Sequence, residues 1–166
     1  KKTYGHVLVI GGDHGFGGAP MMTAQGAGHA GAGLVSLATR SEHVAPLLAR
    51  QPEIMARAVD GVADLAPLLE QATVVAVGPG LGRDAWGRAL LEAALDSGLP
   101  LVVDADALTL IAEWGVDARD DWVLTPHPGE AARLLGSDTG AIQANRFAAV
   151  ESLAARYGGT ALLKGL

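Results

Sequence analysis

Short apolar runs alternate along this chain with stretches of helical pattern, and most of the runs stop abruptly at a glycine or a polar residue. Val7–Ile10 is the first such run, too short for a helix and bounded by the loop Gly11–Gly18. A small-residue stretch from Ala19 to Gly33 follows, expected to be a helix packed closely on a sheet despite its glycines. Leu34–Thr39 reads as the second strand and Glu42–Arg50 as a helix, with a short strand over Pro52–Met55 and another helix over Asp64–Gln71. Thr73–Val77 is a buried strand, and Ala85–Asp96 an amphipathic helix with Ala89, Leu90, Ala93, Ala94 and Leu95 towards the core. Leu101–Val103, Trp122–Leu124 and Ala161–Leu163 are the remaining strands; helices are predicted over Ala107–Glu113, from Glu130 through Ala131–Leu135, and over Arg146–Arg156.

Strand and helix in strict alternation with short loops predict an α/β domain, a mostly parallel sheet covered on both faces. The polar and glycine-rich motifs then fall into one place. The loop Gly11–Gly18, the segment Gly78-Pro-Gly-Leu-Gly82, Asp104, the segment His127–Glu130 and Lys164 each follow the carboxyl end of a strand. In a parallel sheet those ends share one edge, where ligands bind.

Composition narrows the function. With 166 residues, one domain with a real core is expected, and with aromatics at 4% that core must be Ala, Val and Leu. A formal charge of −6 argues against nucleic-acid and anionic-membrane partners. Cysteine is absent, which excludes disulfides, thiol nucleophiles and zinc-finger sites, and suits a cytoplasmic setting. No run approaches the roughly 20 apolar residues of a membrane helix, and Val7–Ile10 is too short for a signal peptide. The chain starts at Lys1 and stops at Leu166 just after an apolar run, so it is expected to be part of something longer.

The motifs carry competing readings. Five of the eight residues in Gly11–Gly18 are glycine, which fits close approach of a ligand to free backbone N–H groups better than a flexible surface loop. Gly26–Gly31 matches a dinucleotide fingerprint by accident, because it lies inside a helix. Gly80–Ala85 matches the looser form after a strand, with Asp104 at the next strand end, but the match is displaced into the loop and Pro79 removes a donor. The five histidines show no metal-ligand spacing. His127, bracketed by Pro126 and Pro128 on a stiff loop, points to substrate contact over a structural role. Glu130 has two readings of equal weight, a helix-capping acid and a holder of Mg²⁺-bound water beside phosphates. Of Asp104 and Asp106, one caps the following helix and the other faces the crevice. Lys164, the sole lysine after Lys2, reads as a phosphate contact, with a snorkelling surface lysine as the alternative.

With those residues in place the chain resembles the ADP/ATP-dependent NAD(P)H-hydrate dehydratases, a family of ribokinase-like fold. The resemblance rests on Lys2–Asp13, Gly18-Ala19, Ala30–Val35, Val77–Gly82, Asp104–Leu108, Leu124–Glu130 and Leu163–Gly165, in the family's order across nearly the whole chain. It implies a three-layer αβα domain spanning 1–166 and incomplete at its C-terminus. The implied activity repairs hydrated NADH or NADPH: a nucleotide's terminal phosphate, with Mg²⁺, phosphorylates the ring hydroxyl, and phosphate then leaves. By position, Ala19, Gly80 and His127 match contacts to the hydrated dinucleotide, with Gly82 and Asp104 beside them. Lys164, Gly165 and Leu166 match the start of the adenine-nucleotide segment, and Glu130 is the metal-side acid. A homo-oligomer is suggested, a tetramer being the family's form.

The family's later Gly-x-Gly-Asp motif, whose Asp activates the attacking hydroxyl, lies beyond Leu166. No catalytic residue is therefore assigned, and the chain alone is expected to be inactive. The alternatives are a ribokinase-like kinase for a vitamin precursor, and a non-catalytic nucleotide-binding module.

Overall fold

A computed structural model describes residues 2–165. Among them seven strands form one sheet with every neighbouring pair parallel: β1 (His6–Ile10), β2 (Leu34–Thr39), β3 (Met55–Ala58), β4 (Val74–Val77), β5 (Leu101–Val103), β6 (Trp122–Leu124) and β7 (Thr160–Ala161). Their order is β3-β2-β1-β4-β5-β6-β7. The chain moves outward from β1 to β3, returns to lay β4 against the free side of β1, and moves outward again to β7. The direction reverses between β1 and β4, the switch point at which open parallel sheets bind ligands.

Alternation along each strand sorts the core into two layers. Val9, Val35, Leu37 and Ala56 face α1 (Gly18–His29) and α2 (Val44–Arg50), packing with Ala24 and Leu47. Leu8, Ile10, Val75, Val77, Leu101 and Val103 face the opposite way. There they meet α3 (Val62–Leu69), α4 (Ala85–Asp96), α5 (Ala105–Trp114), α6 (Pro128–Leu135), α7 (Thr139–Ala144) and α8 (Arg146–Tyr157) through Leu65, Leu90, Leu91, Leu110, Leu134, Ile142 and Leu153. Burying a Leu-sized side chain stabilises by roughly 1.5–3 kcal/mol, so these layers hold the strand ends in place.

Four expectations shift. The third strand is Met55–Ala58, not Pro52–Met55, because pairing with β2 sets its register from Ser36↔Met55 onward. Helix α1 stops at His29 rather than Gly33, where Gly31 turns at φ +102°. Helix α6 starts at Pro128, whose ring suits a first helical position. The six-residue α7 was not foreseen at all. Its apolar content is one buried Ile142, and its signal is the cap Asp138, which accepts from Ala141 N–H at 2.9 Å.

Candidate functional site

The floor of the switch-point crevice is backbone. The loop after β1 and the loop after β4 lie against each other: Gly12 N–H donates to Pro79 O at 3.2 Å and Asp13 N–H to Gly80 O at 2.7 Å. Such closeness leaves no room for side chains. A Cβ on Gly11 would strike Pro79 O, and Gly80, at φ +61°, has Phe16 O where its Cβ would go. Pro79 has no N–H to give, and here it contributes its carbonyl.

One rim of the floor is charged. Asp13 Oδ1 accepts from Arg40 Nε–H at 2.8 Å, and the Asp13 carbonyl lies 3.0 Å from His43 Nε2. Burial pushes the Asp13 carboxyl up, and the Arg40 hydrogen bond, the His14 backbone hydrogen bond and the nearby positive charge together outweigh it, so the group sits below its ordinary value. Arg40 in turn lies 4.3 Å over the Trp86 ring, which fixes its guanidinium. Glu42 holds the tip of the loop, taking the Gly15 N–H at 3.2 Å and meeting His14 Nδ1 at 2.8 Å.

Beyond β4 the network continues to the last strand. Gly82 N–H donates to Asp106 Oδ2 at 3.0 Å. Asp104 caps α5, accepting from Ala105 N–H at 2.9 Å, and the same Oδ1 accepts from Lys164 Nζ at 2.5 Å. Between the two acids, Ala105 has φ +50°, the one positive φ outside glycine among the described residues. Lys164 Nζ also lies 3.9 Å from Glu130 Oε2. Its backbone N–H donates to Pro126 O at 2.9 Å, and Arg146 binds the Leu163 and Lys164 carbonyls at 3.1 and 2.8 Å. The sole lysine after Lys2 is thereby held at the carboxyl edge, with its side chain about one-third exposed at 35%.

His127 and Glu130 form a capping box on α6. Glu130 Oε2 accepts from His127 N–H at 2.8 Å, and His127 Nδ1 accepts from Gly129 N–H at 3.0 Å. Because Nδ1 accepts, the neutral ring carries its proton on Nε2, which faces Glu130 Oε1 at 3.3 Å. The Nδ1 lone pair is taken by Gly129 N–H, so His127 holds a position rather than offering that lone pair.

Of the residues the sequence singled out, Gly80, Gly82, Asp104, His127, Glu130, Lys164 and the exposed Ala19 and Gly165 all fall on strand-end loops or on the first turn of the helix that follows; Leu166 lies outside the described residues. Their bonding within the protein is as follows. Glu130 acts as the capping acid. Asp104 both caps a helix and pairs with Lys164, and the crevice-side N–H of Gly82 is taken by Asp106. Sequence reasoning missed Arg40, Glu42 and Arg146; Arg40, immediately after β2, carried the same strand-end signal as the others. Among the described residues no group of three or more His, Cys, Asp and Glu is placed to hold a metal, and no helix is long and apolar enough to cross a membrane. Two hollows of about 580 and 430 Å³ sit by the starts of strands, against Leu34 and Met55, away from this edge.

Known proteins match this chain over its whole length. It is 52% identical to a bifunctional NAD(P)H-hydrate repair enzyme of Coxiella burnetii, covering 100% of this chain and 34% of that protein. It is 39% identical to an ADP-dependent (S)-NAD(P)H-hydrate dehydratase of Neisseria meningitidis, covering 99% of this chain and 57% of that one. The solved structure of a ribokinase-like superfamily protein from Enterococcus faecalis superposes with a TM-score of 0.88 at 32% identity, over 98% of this chain and 58% of the other. The chain therefore spans about a third of the bifunctional relative and just over half of the other two. The family model described as NAD(P)H-hydrate dehydratase matches residues 7–166, and the chain belongs to that family.

Proposed function

We propose that this chain binds NADH or NADPH hydrated on its nicotinamide ring, together with ADP or ATP, and serves the dehydration that returns the working cofactor. The observation that carries the reading is the row of polar contacts along the carboxyl edge, from Arg40 with Asp13 after β2 through Gly82 with Asp106 to Asp104 with Lys164 after β7. Phosphoryl transfer needs positioning and charge neutralisation more than covalent help from the protein. A backbone floor that admits a ligand closely, and a lysine held beside two acids, are suited to that work.

The ring hydroxyl would give up its proton and take the terminal phosphoryl group of the nucleotide, and departure of phosphate from that carbon, with a proton from the adjacent ring carbon, would restore the ring double bond. Gly80 and Ala19 border the space for the dinucleotide, with His127 further along the same edge. Lys164, with protons beyond the one given to Asp104, faces the phosphates, and Gly165 continues the nucleotide segment. Mg²⁺ keeps several waters and needs one or two carboxylates beside phosphates. Asp104 and Glu130 fit such an ion through its water shell, since Asp104 Oδ1 and Glu130 Oε2 already accept protein hydrogens. Bound there, the ion would neutralise charge on the transferring phosphate. We assign no catalytic base within this chain, and a cytoplasmic setting agrees with the absence of cysteine.

The test is to incubate the longest form that the reading frame encodes with hydrated NADPH, Mg²⁺ and either ADP or ATP. Return of the reduced-nicotinamide absorbance is expected. Accumulation of a stable phosphorylated product would mark a kinase instead, and no change in either would refute the proposal.

A further inference from the structure

Phe16 sits at the centre of the glycine loop after β1, and its side chain is left to solvent at 65% exposure. An isolated exposed apolar residue ordinarily needs no explanation. This one differs in how firmly its backbone is held. Phe16 N–H donates to Asp13 O at 2.9 Å, and Asp13 N–H donates across the crevice to Gly80 O at 2.7 Å. One residue earlier, Gly15 N–H is held by Glu42, and His43 Nε2 meets the Asp13 carbonyl. The loop is pinned up to the aromatic residue, and α1 begins two residues after it at Gly18, so little backbone ordering would be left for a ligand to impose.

Its neighbour is the other half of the argument. Gly80 presents no side chain, and the position a Cβ would occupy there lies 3.0 Å from Phe16 Cβ and 2.6 Å from Phe16 O. The ring therefore springs from the edge of the backbone floor on which the proposed dinucleotide lies. An exposed aromatic ring on a held backbone, beside a surface of bare peptide, is what a flat, uncharged heterocycle needs: one face stacks, and the edge meets peptide groups. The carboxylates of this loop region, Asp13 and Glu42, are engaged with Arg40 and with His14 and Gly15.

We infer that Phe16 is the stacking platform for a ring of the hydrated dinucleotide, and so a specificity-determining residue for that substrate and not for the adenine nucleotide donor. The inference rests on the functional reading above. Aromatic–base stacking lost to alanine weakens binding by about tenfold or somewhat more.

Calorimetric titration of hydrated NADPH, and separately of ADP, into the wild-type chain, Phe16→Ala and Phe16→Tyr tests it. The expected result is about a tenfold weaker Kd for hydrated NADPH with Phe16→Ala, near-wild-type binding with Phe16→Tyr, and unchanged Kd for ADP. Thermal melting of all three should coincide, as the side chain is exposed. Equal binding of hydrated NADPH by Phe16→Ala and wild type overturns the inference alone, and so does an equal loss of ADP affinity. Failure of the wild-type chain to bind hydrated NADPH overturns the functional reading and the inference with it.

Discussion

Replacing Glu130 by Gln changes one oxygen to an amide nitrogen in a side chain that is 8% exposed. The carboxylate accepts the His127 N–H at Oε2, and its Oε1 lies 3.3 Å from His127 Nε2. Gln offers one acceptor and one donor. If its oxygen keeps the backbone N–H, its NH₂ group confronts the ring N–H, and the ring must turn away. A hydrogen bond to a charged group is worth about 1.5–3 kcal/mol, but the His127 ring is half-exposed at 52% and can recover part of that in water. Losing negative charge at the first turn of α6 costs roughly a further 0.3–1 kcal/mol. The Lys164 contact at 3.9 Å adds little, because that lysine is partly solvated. The sum is a destabilisation of about 1–2 kcal/mol, which in a domain of this size lowers Tm by about 2–8 °C. Urea titration and thermal melting of Glu130→Gln against wild type measure it. Unchanged stability would show that the capping box does not hold the loop and would remove the physical basis for treating His127 as a fixed element.

Three other outcomes follow from the same geometry. Asp13 has its carboxyl below the ordinary value, so the stability it supplies is present above the unfolded value and is lost as pH falls through the folded one; Asp13→Asn should flatten the acid limb of a stability–pH curve below about pH 4, and an unaltered limb counts against the Arg40 pairing. Ala105→Gly relieves the φ of +50° and should raise stability by about 0.5–1 kcal/mol in denaturant titration; a loss instead would mean the turn is unstrained. Gly78→Ala places a Cβ against Asp104 O at φ +124° and should cost about 3 kcal/mol or more, seen as loss of soluble protein or a collapsed Tm; a well-folded variant with an unchanged Tm would contradict the close approach of the β4 and β5 ends.

The sheet was legible because most buried strands are compact apolar runs with a glycine or a polar residue at the end, as in Val7–Ile10 before Gly11 and Leu101–Val103 before Asp104. That same punctuation located the site edge, since the topology was parallel throughout. Partners across the sequence were not legible. Asp104 and Lys164 meet over sixty positions, and nothing local in Asp104-Ala-Asp106 distinguishes the acid that finds the lysine from the one that binds Gly82. Helix α7 was hidden for another reason: six residues containing Thr, Gly and Gln show no period, and Ile142 and the Asp138 cap alone anchor it. Likewise Met55–Ala58 has two exposed positions, and its strand character comes from its neighbour β2 rather than from its own side chains.

The bare-backbone floor limits how this site can change over time. At Gly11, Gly12, Gly78 and Gly80 even a single methyl group meets a neighbouring carbonyl or side chain, so these positions have no graded intermediates: a substitution either fits nowhere or displaces the opposite loop. Gradual adaptation to a different ligand cannot begin there. It must begin on the rim, where an exposed side chain such as that of Phe16 can be exchanged without moving the loops beneath. In this protein, variation in specificity and permanence of shape are assigned to different residues only a few ångströms apart, as Phe16 Cβ and the vacant Cβ position of Gly80 illustrate at 3.0 Å.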